Sequence, residues 1–164
     1  MSVFADVLRT QIDYTAWAST LLLDAAAQLT PEELTHDFRT ADSSILGTLV
    51  HLFAADRLWL ERVHGRPNPV FVTDADRSLS ALQTAWPPLL QRWQAWAADL
   101  TGERAWEPLA YTTLEGTPYR QPVWQVVFHV VNHATHHRGQ VSGFLRALGH
   151  TPPVLDLAYF YRQG

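Results

Sequence analysis

Apolar residues recur along this chain at three- and four-residue spacing in four long blocks, the period of a helix with one buried side. In the first block Phe4, Val7, Leu8, Tyr14, Trp17, Ala18, Leu21, Leu22 and Ala25 predict a helix from Ser2 to about Leu29. Thr30-Pro31-Glu32-Glu33 follows, a capping-box pattern that predicts one short extra turn. His36 to Asp42 reads as loop. The second block, from Ile45 to Trp59, predicts a helix that begins at Asp42 to Ser44 and ends near His64-Gly65. Arg66 to Asp74 carries Pro67, Asn68 and Pro69 and reads as a crossover connection. Asp74 or Asp76 is the expected cap of a third helix, through Leu79, Leu82, Trp86, Leu89, Leu90, Trp93 and Trp96 to about Leu100. Pro87-Pro88 interrupts it, and an interior proline costs about 3 kcal/mol or more, so one kinked helix is expected. Trp106 to Gln121 reads as a hairpin-like excursion around Leu114-Glu115-Gly116. Pro122 suits the first turn of a last helix, which Gly149 and Pro152-Pro153 terminate. Val154 to Arg162 predicts one short helix more. The expected fold class is all-α: a four-helix bundle with a long helix 2–helix 3 crossover and a small hairpin-like excursion before the last helix. Residues 1–164 form one domain on this reading.

Composition narrows the function classes. The chain has 164 residues, 47% hydrophobic and 17% charged, enough to build a core without staples. There is no cysteine. Disulfides, thiolate ligands and a cysteine nucleophile are excluded together. The net charge is −4 and all 12 basic residues are arginine, with no basic run. A nucleic-acid partner is not expected. The N-terminus shows no signal-peptide pattern, and no apolar run approaches the ~18 residues of a membrane span. A cytoplasmic location with no membrane partner is the expectation. G-x-G-x-x-G and P-loop motifs are missing, so nucleotide cofactors have no support. Ser142 lies in a helical pattern rather than on the strand-turn-helix elbow of a serine hydrolase.

The candidate chemistry lies in the last helix. Four of the eight histidines fall between His129 and His137. Residues four apart on a helix are offset by only about 40°, so His129, His133 and His137 form one stripe, and two such imidazoles can share a metal ion. The zinc peptidase motif His-Glu-x-x-His has the same spacing. Here Ala134 follows His133 in place of its glutamate, which excludes that class. A catalytic zinc site takes three protein ligands and keeps one position open. A third ligand must therefore come from elsewhere. His51, mid-way along the second helix, has Gly47 and Ala55 four residues to either side, small residues that leave room for a ligand. It is the candidate, and His129 is the reserve. The competing reading makes His51 an ordinary core or surface histidine. His36, His64, His136 and His150 default to solvent or capping roles. Asp56, Asn132 and Gln140 are candidate partners for the second ring nitrogens. Arg138 suits an anionic substrate or a salt bridge between helices, and Trp17, Trp59 or Tyr111 could line a cleft.

Ser44-Ile45-Leu46-Gly47-Thr48-Leu49-Val50-His51, taken with His133-Ala134-Thr135-His136-His137-Arg138-Gly139-Gln140, resembles the DinB/YfiT-like family of bacterial metal-binding bundles. The resemblance spans essentially the whole chain. It implies a divalent metal, zinc or nickel foremost, held by three histidines that correspond to His51, His133 and His137. Relatives include S-transferases and isomerases that use low-molecular-weight thiols. The implied activity is thus metal-dependent thiol transfer on a small-molecule substrate, with hydrolysis as a variant and a thiol as cosubstrate. The alternative is a non-catalytic metal-binding stress-response protein. A homodimer is expected by analogy alone. Three neutral imidazoles would leave an ion its full charge and an open position, able to acidify a water or hold a thiol as thiolate.

Overall fold

The computed structural model describes residues 3–66 and 71–163. Helix α1 runs Val3–Ala26, and the short α2, Pro31–Thr35, follows it. The Thr30 hydroxyl accepts from the Glu33 amide at 3.2 Å, and the Glu33 carboxylate accepts from the Thr30 amide at 2.9 Å. The predicted capping box is therefore formed. The predicted start of α1 at Ser2 lies outside the described residues, and its last predicted turn, to Leu29, is a turn beyond the helix. Helix α3, Ile45–Val63, begins at an N-cap Ser44. Of the predicted crossover, residues 67–70 lie outside the described residues. Beyond it, Arg57 of α3 donates to both carboxylate oxygens of Asp76, at 3.0 and 3.2 Å, and to the Phe71 carbonyl.

Neither Asp74 nor Asp76 caps the third long helix. Asp74–Asp76 is a separate 3-10 turn. Asp76 is occupied there by the Thr73 amide, at 2.7 Å, and by Arg57. The cap of helix α4, Leu79–Ala98, is Ser78, whose hydroxyl accepts from the Ala81 amide at 3.2 Å. Pro87 and Pro88 both lie inside α4, which is one helix as expected. Sequence pattern missed helix α5, Gly102–Trp106, which Thr101 caps. The excursion is a true antiparallel pair, β1 (Pro108–Thr112) and β2 (Pro118–Pro122), in the register Pro108↔Pro122 and Thr112↔Pro118. Pro122 ends β2 and caps helix α6, Val123–Ala147. Past α6, Gly149 adopts φ +87°. Its amide donates to the Arg146 carbonyl and that of His150 to the Leu145 carbonyl, the paired bonds of a Schellman stop. Helix α7, Leu157–Tyr161, lies within the predicted tail.

The described residues are thus mostly helical, with one small two-stranded sheet among them. Among the long helices, α1 packs on α4 and α6, and α3 packs on the same two. Between them lies a core that includes the fully buried Leu8, Leu22, Ile45, Leu49, Leu82, Trp86 and Val126. Removing each such side chain from water stabilises the fold by about 1.5–3 kcal/mol. Asp56 sits in this core and accepts from two tryptophans of α4: Trp86 Nε1 at 2.9 Å to its carboxylate, and Trp93 Nε1 at 3.0 Å to its carbonyl. No described helix is long and apolar enough to cross a membrane.

Candidate metal centre

Packing α3 against α6 decides where the histidines go. On α3, Ile45, Leu49, Leu52 and Leu60 are buried, and His51 is left half-buried at the edge of that face. On α6, Val126, Val130, Ala134, Val141 and Leu145 are buried, and His133 and His137 flank them. The two edges meet. His51 Nε2 lies 2.9 Å from His133 Nε2, and the ring centroids of His51 and His137 are 4.5 Å apart. One ring nitrogen from each of His51, His133 and His137 can be chosen so that all lie within 4.8 Å of one another. Two nitrogens bound to one zinc-sized ion, each at ~2.0–2.1 Å, stand no more than ~4.2 Å apart, so small side-chain movements complete such a set.

Protonation favours the same use. Burial first, and then the neighbouring imidazoles of His137 and His51, push His133 down to about 4. Burial also lowers His137, against a raising hydrogen bond from Gln140. Both rings are neutral near pH 7, the form that ligates a metal. The His137 Nδ1–H donates to Gln140 Oε1 at 2.7 Å, which leaves its Nε2 lone pair free. Gln140 thus has the partner role expected of it.

The other candidates are elsewhere. Asp56 serves the tryptophans of α4. Asn132 is exposed, with no hydrogen bond to a histidine among the described residues. The carboxylate that does approach the rings is Asp42, which sequence reasoning treated only as a helix start. Its Oδ1 is 3.7 Å from His51 Nδ1, and its Oδ2 is 3.7 Å from His137 Nδ1. Gly47 also has another role than expected. A Cβ there would stand 2.0 Å from the Asp42 carbonyl oxygen, so the space is filled by the loop and not by a ligand of His51. The one available signal was a glycine in the first turn of a helix, four residues before a histidine.

His129 remains on the stripe but outside the cluster. Its ring is 5.7 Å from that of His133 and packs edge-on against Trp59 at 5.1 Å. His136 is exposed beside His137. His64 is bonded to the Leu60 carbonyl, and His150 to Glu33 at 2.8 Å, so His150 joins the tail to α2. His36 lies edge-on to Phe38. Trp59 and Tyr111 meet edge-to-face at 5.0 Å near His129, with the Arg62 guanidinium over both rings. Trp17 packs instead with Tyr14 and Phe160. Arg138 has no carboxylate at ion-pair distance among the described residues; its guanidinium lies 5.0 Å over the Tyr14 ring.

The family model of the DinB family matches residues 1–163. Protein DinB of Bacillus subtilis (strain 168) is 22% identical over 157 residues, with 90% of each chain covered.

Proposed function

Because this chain belongs to the DinB family, we propose that His51, His133 and His137 hold a divalent metal ion, zinc or nickel, and that the protein transfers a low-molecular-weight thiol to or from a small electrophile. The observation that carries the reading is the convergence of three imidazole nitrogens from two helices within 4.8 Å, two of them 2.9 Å apart. In this reading α1, α3, α4 and α6 form a four-helix bundle over a single domain, and the site is built from inward edges of facing helices.

The donor set suits a borderline ion such as zinc or nickel, since all three donors are nitrogen and none is a carboxylate. When bound, the ion would supply Lewis acidity and favour the thiolate form of an external thiol. The chain has no cysteine and must take its thiol from solution. Its own residues position and tune. Gln140 fixes the tautomer of His137, and Asp42 places negative charge beside the outer nitrogens of His51 and His137. Trp59, Tyr111 and His129 form an aromatic shoulder next to His133, where the body of an electrophile would rest.

Elemental analysis of untagged protein tests the metal. Near-stoichiometric zinc or nickel is expected in the wild type, with loss in both His51→Ala and His137→Ala. A wild type that carries none, and takes up neither ion on titration, overturns the reading. Thiol consumption assays with a small electrophile then test transfer. A fully loaded protein that consumes no thiol would leave a non-catalytic metal-binding protein.

A further inference from the structure

Helix α6 has a second polar side. Thr135, Arg138, Ser142 and Arg146 recur there at three- and four-residue spacing. At 100° per residue they lie about 140–220° round the helix from His133, on the side away from the histidines. They form one wall of a cleft of about 840 Å³. Its other walls are Tyr14 of α1 and the tail from Pro152 to Tyr159, with Arg162. Small-molecule sites commonly occupy ~300–1,000 Å³. The Tyr14 hydroxyl donates to the Leu155 carbonyl at 2.8 Å and holds the tail in place over α1.

The charge in this cleft is uneven. Arg138 lies in its wall and is only 1% exposed. Its Nη2 donates to Thr135 Oγ1 at 3.0 Å, while its Nε and Nη1 have no hydrogen-bond partner. The buried Asp56 charge and the Tyr14 ring ease the burial of this guanidinium, yet no carboxylate is at ion-pair distance from it among the described residues, and an anion in the cleft would supply that direct partner. Arg146 and Arg162 are exposed at the rim, and among the described residues neither pairs with a carboxylate. Asp156 is the one acidic residue in the lining beside these three arginines. The opposite wall is apolar: Pro152, Pro153, Val154, Leu155, Leu157 and Ala158.

We propose that this cleft binds a small organic carboxylate with an apolar body. The planar guanidinium fork matches a carboxylate and sets the charged end. The proline- and leucine-lined wall takes a hydrocarbon portion out of water, which a bare inorganic anion would leave unused. The site lies apart from the histidine centre and does not depend on the proposed function.

Isothermal titration of the full chain with octanoate, and separately with inorganic phosphate, tests it. Octanoate should saturate with a Kd below about 1 mM and phosphate should bind at least about tenfold more weakly. The double variant Arg146→Gln/Arg162→Gln changes only exposed side chains and should weaken octanoate about tenfold. Arg138→Lys keeps the charge but loses the fork, and should weaken it as well. His133→Ala should bind octanoate as the wild type does. No saturation by about 10 mM, equal affinity for phosphate, an unchanged Kd in the double variant, or loss of binding in His133→Ala would each overturn the proposal.

Discussion

Asp42 shows how much of a site can rest on a residue that need not touch a bound ion. Its carboxylate stands between the outer nitrogens of His51 and His137, 3.7 Å from each. Its charge works to raise the basicity of His137, and its place beside both rings favours the orientation in which their other nitrogens face an ion. Partners of this kind are worth about 10–100-fold in metal affinity. Asp42→Asn keeps the shape and removes the charge. It should weaken zinc binding about tenfold in competition with a chromogenic chelator, with the circular dichroism spectrum unchanged. Equal affinity in the two proteins would show that Asp42 does not orient the rings. Sequence spacing offered no route to this residue, because it reaches the histidines through a loop rather than along a helix face.

That loop is held by the start of α3. Phe38 donates its amide to the Ser43 carbonyl at 2.7 Å, and Ser43 takes φ +60°. Ser44 then caps the helix, its hydroxyl accepting from the Gly47 amide at 3.0 Å. Gly47 lets the Asp42 carbonyl approach to within what would be 2.0 Å of a Cβ. Gly47→Ala therefore sets two effects against each other. Alanine favours a helix over glycine by about 1 kcal/mol. The clash, against backbone that cannot rotate away, costs about 1–3 kcal/mol or more. The clash should prevail: urea denaturation should show net destabilisation, and zinc affinity should fall with it as Asp42 moves. A stabilised Gly47→Ala protein with unchanged affinity would show that the loop yields freely. The four long helices and the α2 capping box were legible because periodicity and capping act locally. The cap of α4 was misread because Asp74, Asp76 and Ser78 all carry capping side chains; Arg57, distant in sequence, takes Asp76 away. Helix α5 was missed because five residues are too few for a period to show. His51 and the pair His133/His137 stood out by type and spacing, but their convergence depends on how α3 packs against α6.

At the scale of the whole molecule, the depressed histidines of α6 and the buried Asp56 titrate in opposite senses. His133 moves from 6.5 to about 4 in the fold, through burial first and then the adjacent imidazoles. The unfolded chain therefore binds more protons between those values, and stability is lost as pH falls from 6.5 toward 4. Asp56 moves the other way, from 3.8 up to about 6, because burial outweighs the Trp86 hydrogen bond and the Arg138 charge. Its carboxyl keeps a proton in the fold that the unfolded chain releases, so stability is lost as pH rises from 3.8 toward 6. Burial lowers His129 and His137 as well, so in the metal-free protein the histidines should outweigh Asp56 and stability should rise with pH between about 4 and 6. Asp56→Asn should steepen that rise, and His133→Ala should flatten it. A wild-type profile in urea unfolding that falls with pH across that window would show that the histidines are not perturbed as the geometry requires. A bound metal adds a third dependence, since it holds α3 to α6 only when the imidazoles are neutral. At a free ion concentration 100 times Kd it should stabilise the native state by about 2.7 kcal/mol, which for a chain of this size is about 5–10 °C in Tm. Zinc should produce that rise at pH 7.5, and it should shrink as pH falls toward 4 and His133 is protonated. His133→Ala should show no rise at either pH. An increase that survives in His133→Ala would place the ion elsewhere, and with it the chemistry proposed for this helix pair.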